Sequence, residues 1–336
     1  MSTISTKLIA VIVVVVAIVA LSLVLYFTFQ GPRSTTPYKV VIYTGGTGGV
    51  YYPLGVKLAD MLNRYSGGLI EASASTSGAS VANARALAAG DANVIFIQND
   101  VAYYAYNGLY MFESGKVDKI RALASLYPEV VQIVTRADSG IKSIFDLSGK
   151  RVAVGAAGSG TAVEAEIILK VAGIWDKITP QYLDFTQAAE ALKLGQVDAM
   201  FVVAGIPTSA IMQLATTTPI NIVEIPVDIY NMLKQRGYLF FVPYTIPKDT
   251  YTELEKDVQT LAVMAMLATS VDVPENVAYT ILKVMFDHID ELRGAHSRAK
   301  DISLERALEG VPIKLHPGAV KFYTEKGISI PAELKP

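Results

Sequence analysis

Two glycine-rich turns and the hydroxyls beside them are the residues of this chain best placed to do chemistry. Gly45-Gly46-Thr47-Gly48-Gly49 and Gly155-Ala156-Ala157-Gly158-Ser159-Gly160-Thr161 each follow a β-rich run and lead into a helical pattern. Glycine lets backbone approach an anion closely, and the helix that follows aims unpaired N–H groups and its positive end outward. Thr47, Ser159 and Thr161 add hydroxyl donors, so such turns can bind a carboxylate without an arginine. Nucleotide cofactors fit poorly. The second turn lacks the lysine of a phosphate-binding Gly-x-x-x-x-Gly-Lys loop, and neither turn has the third glycine of Gly-x-Gly-x-x-Gly, Tyr51 and Val163 standing in its place. Tyr51, at the start of the first helix, offers an apolar wall with one polar tip. Tyr103, Tyr104 and Tyr106 have helical spacing and read as core.

Other chemistries are excluded or unsupported. The 336 residues include no cysteine, which removes disulfides, thiolate metal sites, a cysteine nucleophile and a lipid-modified N-terminal cysteine. His288, His296 and His316 are the only histidines, and none has metal-ligand spacing with another ligand. His316, before Pro317-Gly318, reads as positioning a turn. Ser159 has no Gly-x-Ser-x-Gly elbow around it, so a hydrolase is unsupported. A formal net charge of -2 with no long basic run argues against nucleic acid as a partner. The reading is of a protein that is not an enzyme and holds no metal or cofactor.

The elements that must position the turns alternate, short β-rich runs with helices, which predicts βα units and parallel sheets. Strands are expected at residues 39–44, 69–74, 93–97, 121–126 and 130–136, then 151–154, 181–184, 199–203 and 220–225. Helices are expected at 52–65, 79–89, 161–172, 187–194 and 208–215, and the apolar run 258–269 reads as a buried strand. Within this alternation Ala86–Phe96 and Ala191–Phe201 match in pattern at an offset of 105: a helix end, a glycine suited to the left-handed position, a polar turn residue and a buried strand. A repeat with one glycine turn per copy predicts two lobes facing each other across a cleft, where the carboxyl ends of strands collect ligands.

Residues 8–29 form an uncharged run in which only Ser22 and Thr28 are not apolar. As a helix it would be about 33 Å long, enough to cross a bilayer core. It exceeds the usual apolar region of a cleaved signal and ends in the bulky Leu25-Tyr26-Phe27-Thr28-Phe29, so it reads as an uncleaved anchor through the lipid bilayer. Lys7 and the α-amine against Arg33 and Lys39 slightly favour a cytoplasmic N-terminus, with the body extracytoplasmic. Residues 31–37 form a short polar linker.

An ordered set of segments then carries a resemblance: Gly46-Thr47-Gly48-Gly49-Val50-Tyr51-Tyr52-Pro53-Leu54-Gly55, Gln98-Asn99-Asp100-Val101-Ala102, Leu126-Tyr127-Pro128-Glu129, Asp146-Leu147-Ser148-Gly149-Lys150, Gly158-Ser159-Gly160-Thr161, Phe201-Val202-Val203-Ala204-Gly205-Ile206-Pro207 and His316-Pro317-Gly318-Ala319. Together they resemble the TAXI family of solute-binding proteins, which serve tripartite ATP-independent periplasmic (TRAP) transporters. The resemblance implies an α/β fold, a two-lobed, type II periplasmic-binding-protein clamshell, here preceded by one N-terminal transmembrane helix. Its lobe 1 would be residues 38–136 with 240–336, and its lobe 2 residues 137–239. It implies capture of a small organic acid or amino acid, of the glutamate or glutamine class, and delivery to TRAP permease membrane subunits. A membrane-tethered sensory receptor domain of the same fold is the alternative. The cleft residues it implies are Thr47, Gly48, Gly49 and Tyr51, then Thr76, Ser77 and Gly78, then Gln98 with Asp100 and Tyr127 with Glu129. In the second lobe they are Ser159, Gly160, Thr161, Ala204, Gly205 and Pro207. Where the family often has Thr-Gly-Gly-Ser before an Asn, this chain reads Thr76-Ser77-Gly78-Ala79-Ser80-Val81-Ala82-Asn83. Asp100 or Glu129 would pair with a ligand ammonium, which favours an amino acid over a plain dicarboxylate. Alternatively, Asp100 caps the helix at Val101 and Glu129 is an exposed turn residue.

Overall fold

The computed structural model describes residues 36–252 and 254–336, with Val15 and Val19. The expected anchor at residues 8–29 otherwise lies outside the described residues, among which no helix is long and apolar enough to cross a membrane.

The first half runs β1 (Tyr38–Tyr43), α1 (Tyr51–Tyr65), β2 (Ile70–Ser75), α2 (Ser80–Ala89), β3 (Val94–Gln98), α3 (Asn99–Asn107) and β4 (Ile120–Arg136). It continues with β5 (Arg151–Ala153), α4 (Gly160–Val171), β6 (Thr179–Gln181), α5 (Phe185–Lys193), β7 (Ala199–Ala204), α6 (Ser209–Ala215), β8 (Ile220–Val223) and α7 (Val227–Gln235). The chain returns through β9 (Val242–Ile246) and β10 (Val258–Ser270) to α8 (Glu275–Asp287), α9 (Ile289–Ala295) and α10 (Pro317–Glu325). Helix α1 forms because Leu54, Leu58, Met61 and Leu62 recur at helical spacing and bury one face. The repeat is visible in the backbone: Gly90 ends α2 and Gly195 follows α5, both left-handed at φ +85° and +66°, and each leads to a wholly buried strand, β3 or β7.

The strands join in the order β2-β1-β3-β10-β4-β7-β5-β6, with β8 on β4 and β9 on β10. As the βα alternation predicts, β1 is parallel to β2 and β3, and β5 to β6 and β7. The sheet is not parallel throughout, however: β4 and β10 run antiparallel to their partners. They are also the longest strands, at 17 and 13 residues, and belong to both halves. The two strands expected at 121–126 and 130–136 are one. Pro128 does not break it because it sits opposite Met264, beside a register shift where no ladder hydrogen bond is owed. The strand expected at 181–184 stops at Gln181 because Asp184 opens α5 instead. Its Oδ1 accepts from the Gln187 N–H at 2.9 Å while Gln187 Oε1 accepts from the Asp184 N–H at 3.2 Å.

Apolar packing divides the body. One core cluster joins residues 40–127 to 265–334, and two more are drawn from residues 130–263. The change from one set to the other falls inside β4, near Pro128, and inside β10, near Met264. These α/β packing units make two lobes threaded by two shared strands.

His316 is the cap of α10. Its Nδ1 accepts from the Gly318 N–H at 3.0 Å, and Nε2 lies 3.0 Å from the Val273 carbonyl, to which it donates in that tautomer. Burial holds its pKa below the usual histidine value, so it serves as a neutral ring. His316→Ala removes a cap and strands a buried carbonyl, a loss of about 2 kcal/mol. Thermal melting monitored by circular dichroism should fall by about 4 °C.

Candidate functional site

The two glycine turns face each other across a narrow cleft with a cavity volume of about 60 Å³, open to solvent on one side. From the first lobe come the turn before α1 with Tyr51, the Ser77–Ser80 loop into α2, and Gln98 at the end of β3. The second lobe supplies Ala156, the start of α4, the start of α5 with Asp184 and Phe185, and Val203 and Ala204 at the end of β7. Glu129 reaches the cleft from β4, the strand the lobes share. Apart from Glu129, in the middle of β4, these are strand ends, helix starts or the loops between them, as βα units require.

Of the residues expected from sequence, Gly49, Tyr51, Ser77, Gly78, Gln98, Glu129, Ser159, Gly160, Thr161 and Ala204 line this cleft. Thr47 and Thr76 are exposed and do not line it, nor do Gly48, Asp100, Tyr127, Gly205 and Pro207. Gly48 lies where the lobes touch: its carbonyl accepts from the Ala210 N–H at 3.1 Å, and a Cβ there would come within 2.6 Å of Thr186 Oγ1. Tyr127 is fully buried, and the ring and the stem of Arg298 pack on Gly205, where a Cβ would meet both. Pro207 follows a cis peptide bond.

The alternatives for the two acids also resolve. Asp100 is not the cap of α3, which begins at Asn99. The Asn99 side chain accepts from the Asp100 N–H at 3.0 Å, and Asp100 itself is completely buried. Glu129 is no exposed turn residue but lies within β4 with 3% of its surface exposed.

Sequence reasoning missed Ala79, Ser80, Asp184 and Phe185. The signal was available, because the repeat offset of 105 carries Ala79-Ser80 at the start of α2 onto Asp184-Phe185 at the start of α5. Ala79 adopts φ +68°, a region costly for any residue with a Cβ. It is held there by Ser77, whose Oγ accepts from the Ala79 N–H at 3.0 Å and donates to Asn83 Oδ1.

Among the described residues no lysine, arginine or histidine lines the cleft; its charged side chains are Glu129 and Asp184. Tyr51 OH donates to Glu129 Oε2 at 2.8 Å. Burial pushes the Glu129 carboxyl up to about 8, helped by the charge of Asp100 and opposed by hydrogen bonding from Tyr51 and Gln98. Behind the lining, burial raises Asp100 to about 7; the nearby amides of Val101 and Asp100 pull the other way, yet neither carboxyl oxygen has a partner in hydrogen-bond geometry. Glu164 of α4, also fully buried, is raised well above the ordinary glutamate value by burial first and by Asp100 and Glu129 next. The Gln98 amide reaches across to its Oε2 at 3.4 Å, and its Oε1 has no partner.

The helix starts are shared between lobes. The N–H groups of Val81 and Ala82, at the start of α2, both donate to the Gly158 carbonyl at 3.0 Å, and the start of α6 takes the Gly48 carbonyl. At α4, Ser159 Oγ accepts from the Ala162 N–H at 3.1 Å, which leaves the N–H groups of Gly160 and Thr161 without an intrahelical partner beside the cleft.

Fold and site together define a two-lobed α/β protein that encloses a small, largely apolar cleft with one buried carboxyl, Glu129, and helix starts on its walls. The NMT1-like family matches residues 42–327, and the chain belongs to that family. Among solved structures it is similar to a protein of Bordetella bronchiseptica RB50, at 17% identity and a TM-score of 0.52, over 88% of this chain and 90% of that one. It is similar also to the periplasmic aliphatic sulphonate binding protein SsuA from Escherichia coli, at 16% identity and a TM-score of 0.49, over 87% and 84%. A third is the GluR0 ligand-binding core in complex with L-glutamate, at 13% identity and a TM-score of 0.48, over 80% and 98%.

Proposed function

We propose that the chain is an extracytoplasmic solute-binding protein that closes its two lobes on a small amino acid of the glutamate class and hands it to a membrane transporter. The observation that carries this reading is a buried carboxyl on the cleft, Glu129, which has no basic side chain on the lining beside it and can ionise against a cation brought by the ligand. A ligand ammonium answers it, and the free N–H groups of Gly160 and Thr161 with the hydroxyls of Ser80 and Ser159 suit the ligand carboxylate. The first lobe would be the cluster that joins residues 40–127 to 265–334 and the second the two clusters from residues 130–263, with the crossings inside β4 and β10. A TRAP permease as the recipient follows from the resemblance to the TAXI family, and residues 8–29 would tether the protein to the membrane.

A thermal-shift series tests this. At about 100 times its dissociation constant a ligand stabilises by about 2.7 kcal/mol. L-Glutamate or L-glutamine should raise the melting temperature, and 2-oxoglutarate, which lacks the amine, should not. A shift with 2-oxoglutarate alone, or with none of the three, would sink the ligand class.

A further inference from the structure

We propose that closure of the lobes takes up a proton into a dry seam of three carboxyl groups, Asp100 of α3, Glu129 of β4 and Glu164 of α4, so that the clamp closes more tightly as pH falls. The inference rests on the two-lobed reading above and does not depend on the identity of the ligand.

The seam is built from both lobes. Asp100 and Gln98 belong to the first, Glu164 to the second and Glu129 to a strand they share, and each side chain is at most 3% exposed. Both oxygens of Asp100 and Oε1 of Glu164 are buried without a hydrogen-bond partner. The seam packs tightly: a Cβ on Gly160 would fall inside the Gln98 amide, the group that bridges to Glu164. The ionisable groups around it are Tyr51 of α1, Tyr104 of α3 and Tyr127 of β4, with Tyr110 and Tyr238 beyond Tyr104. Arg298, whose charge bears on Tyr127 and Tyr251, pairs with Asp301 at 3.0 Å. No base among the described residues neutralises the three acids. Three carboxylates in such a seam lose hydration and repel one another, while opening returns Glu164 to water and parts it from Asp100. A ligand ammonium would answer Glu129 and leave Asp100 and Glu164 to be neutralised by protons.

The sign follows from linkage. The group that opening rehydrates is Glu164, which burial and then the charges of Asp100 and Glu129 hold well above the ordinary glutamate value in the closed form, against about 4 for a hydrated acid. Its contribution to closure is therefore complete below about pH 4 and is lost as pH rises through the raised closed-form value.

The latch amides read closure directly. Val81, Ala82 and Ala210 are first-turn N–H groups bonded only to the facing lobe's carbonyls, so opening exposes them to exchange. Hydrogen–deuterium exchange of the full chain without ligand, corrected for intrinsic rates, should show their protection falling about tenfold or more from about pH 5.5 to 8.5. Glu164→Gln and Asp100→Asn should keep protection at the upper pH. Protection that does not change with pH in the wild type, or that changes equally in both variants, overturns the proposal. Gly48→Leu, a wedge against Thr186 and Ala210, separates the causes of failure. If it opens the latch amides while pH and the carboxyl variants do not, the proton linkage alone is wrong. If it too leaves them protected, the two-lobed clamp falls with it.

Discussion

Glu129→Gln should weaken binding of an amino acid by about 100-fold, close to 3 kcal/mol, the cost of taking one partner from a buried charge pair. Glutamine keeps the size of the side chain and an oxygen to accept from Tyr51 OH, so the lobe and the wall of the cleft stay as they are. What goes is the ability to ionise beside the ligand's ammonium. Because nothing basic lines the cleft, no other group on the lining depends on that charge, and the loss should fall on the ligand's amine. Isothermal titration calorimetry with whichever amino acid shifts the melt measures it. A variant that binds as tightly as the wild type places the ammonium elsewhere and leaves Glu129 as a structural acid.

Gly318→Ala should be strongly destabilising for a single added methyl group. Gly318 is the second residue of α10, and a Cβ there would run into the Glu275 carbonyl and come within 2.7 Å of the Tyr279 nitrogen, with Ala278 Cβ at 3.0 Å. Glu275 and Tyr279 contribute backbone atoms of α8, which cannot swing aside as a side-chain tip can. The helices must part over the buried face of Phe322 and Ile281, at a cost of about 3 kcal/mol. Differential scanning calorimetry should show a fall of about 6 °C or more, with ligand affinity nearly unchanged because neither α8 nor α10 contributes a residue to the cleft lining. A melting temperature within about 1 °C of wild type would mean that α8 and α10 have room to slide.

How far the sequence could be read depended on how local the physics was. The offset of 105 was legible because a helix-ending glycine and the apolar strand after it are neighbours in the chain, and both Gly90 and Gly195 adopt the left-handed backbone that such a position needs. The union of two expected strands into β4 was not, since what carries the chain past Pro128 is pairing with Met264, more than a hundred residues away. Glu164 was invisible for the same reason: along α4 it is one acid among apolar neighbours, and only Gln98 and Asp100 from the other lobe give it a role.

The glycine turns show the division most plainly. By itself the sequence determined that strand-to-helix turns of low steric bulk would occur twice, and that they would be edged by hydroxyls with no lysine or arginine nearby. The tertiary structure decided their use. Gly48 and Gly158 turn their carbonyls onto helix starts of the opposite lobe, while Gly160 makes room for Gln98. It also decided that Glu129 faces the cleft and Asp100 does not. Composition, caps and periodicity act between residues a few positions apart, whereas desolvation and like-charge crowding depend on what another part of the chain packs against. That packing turns three ordinary acids into a buried cluster.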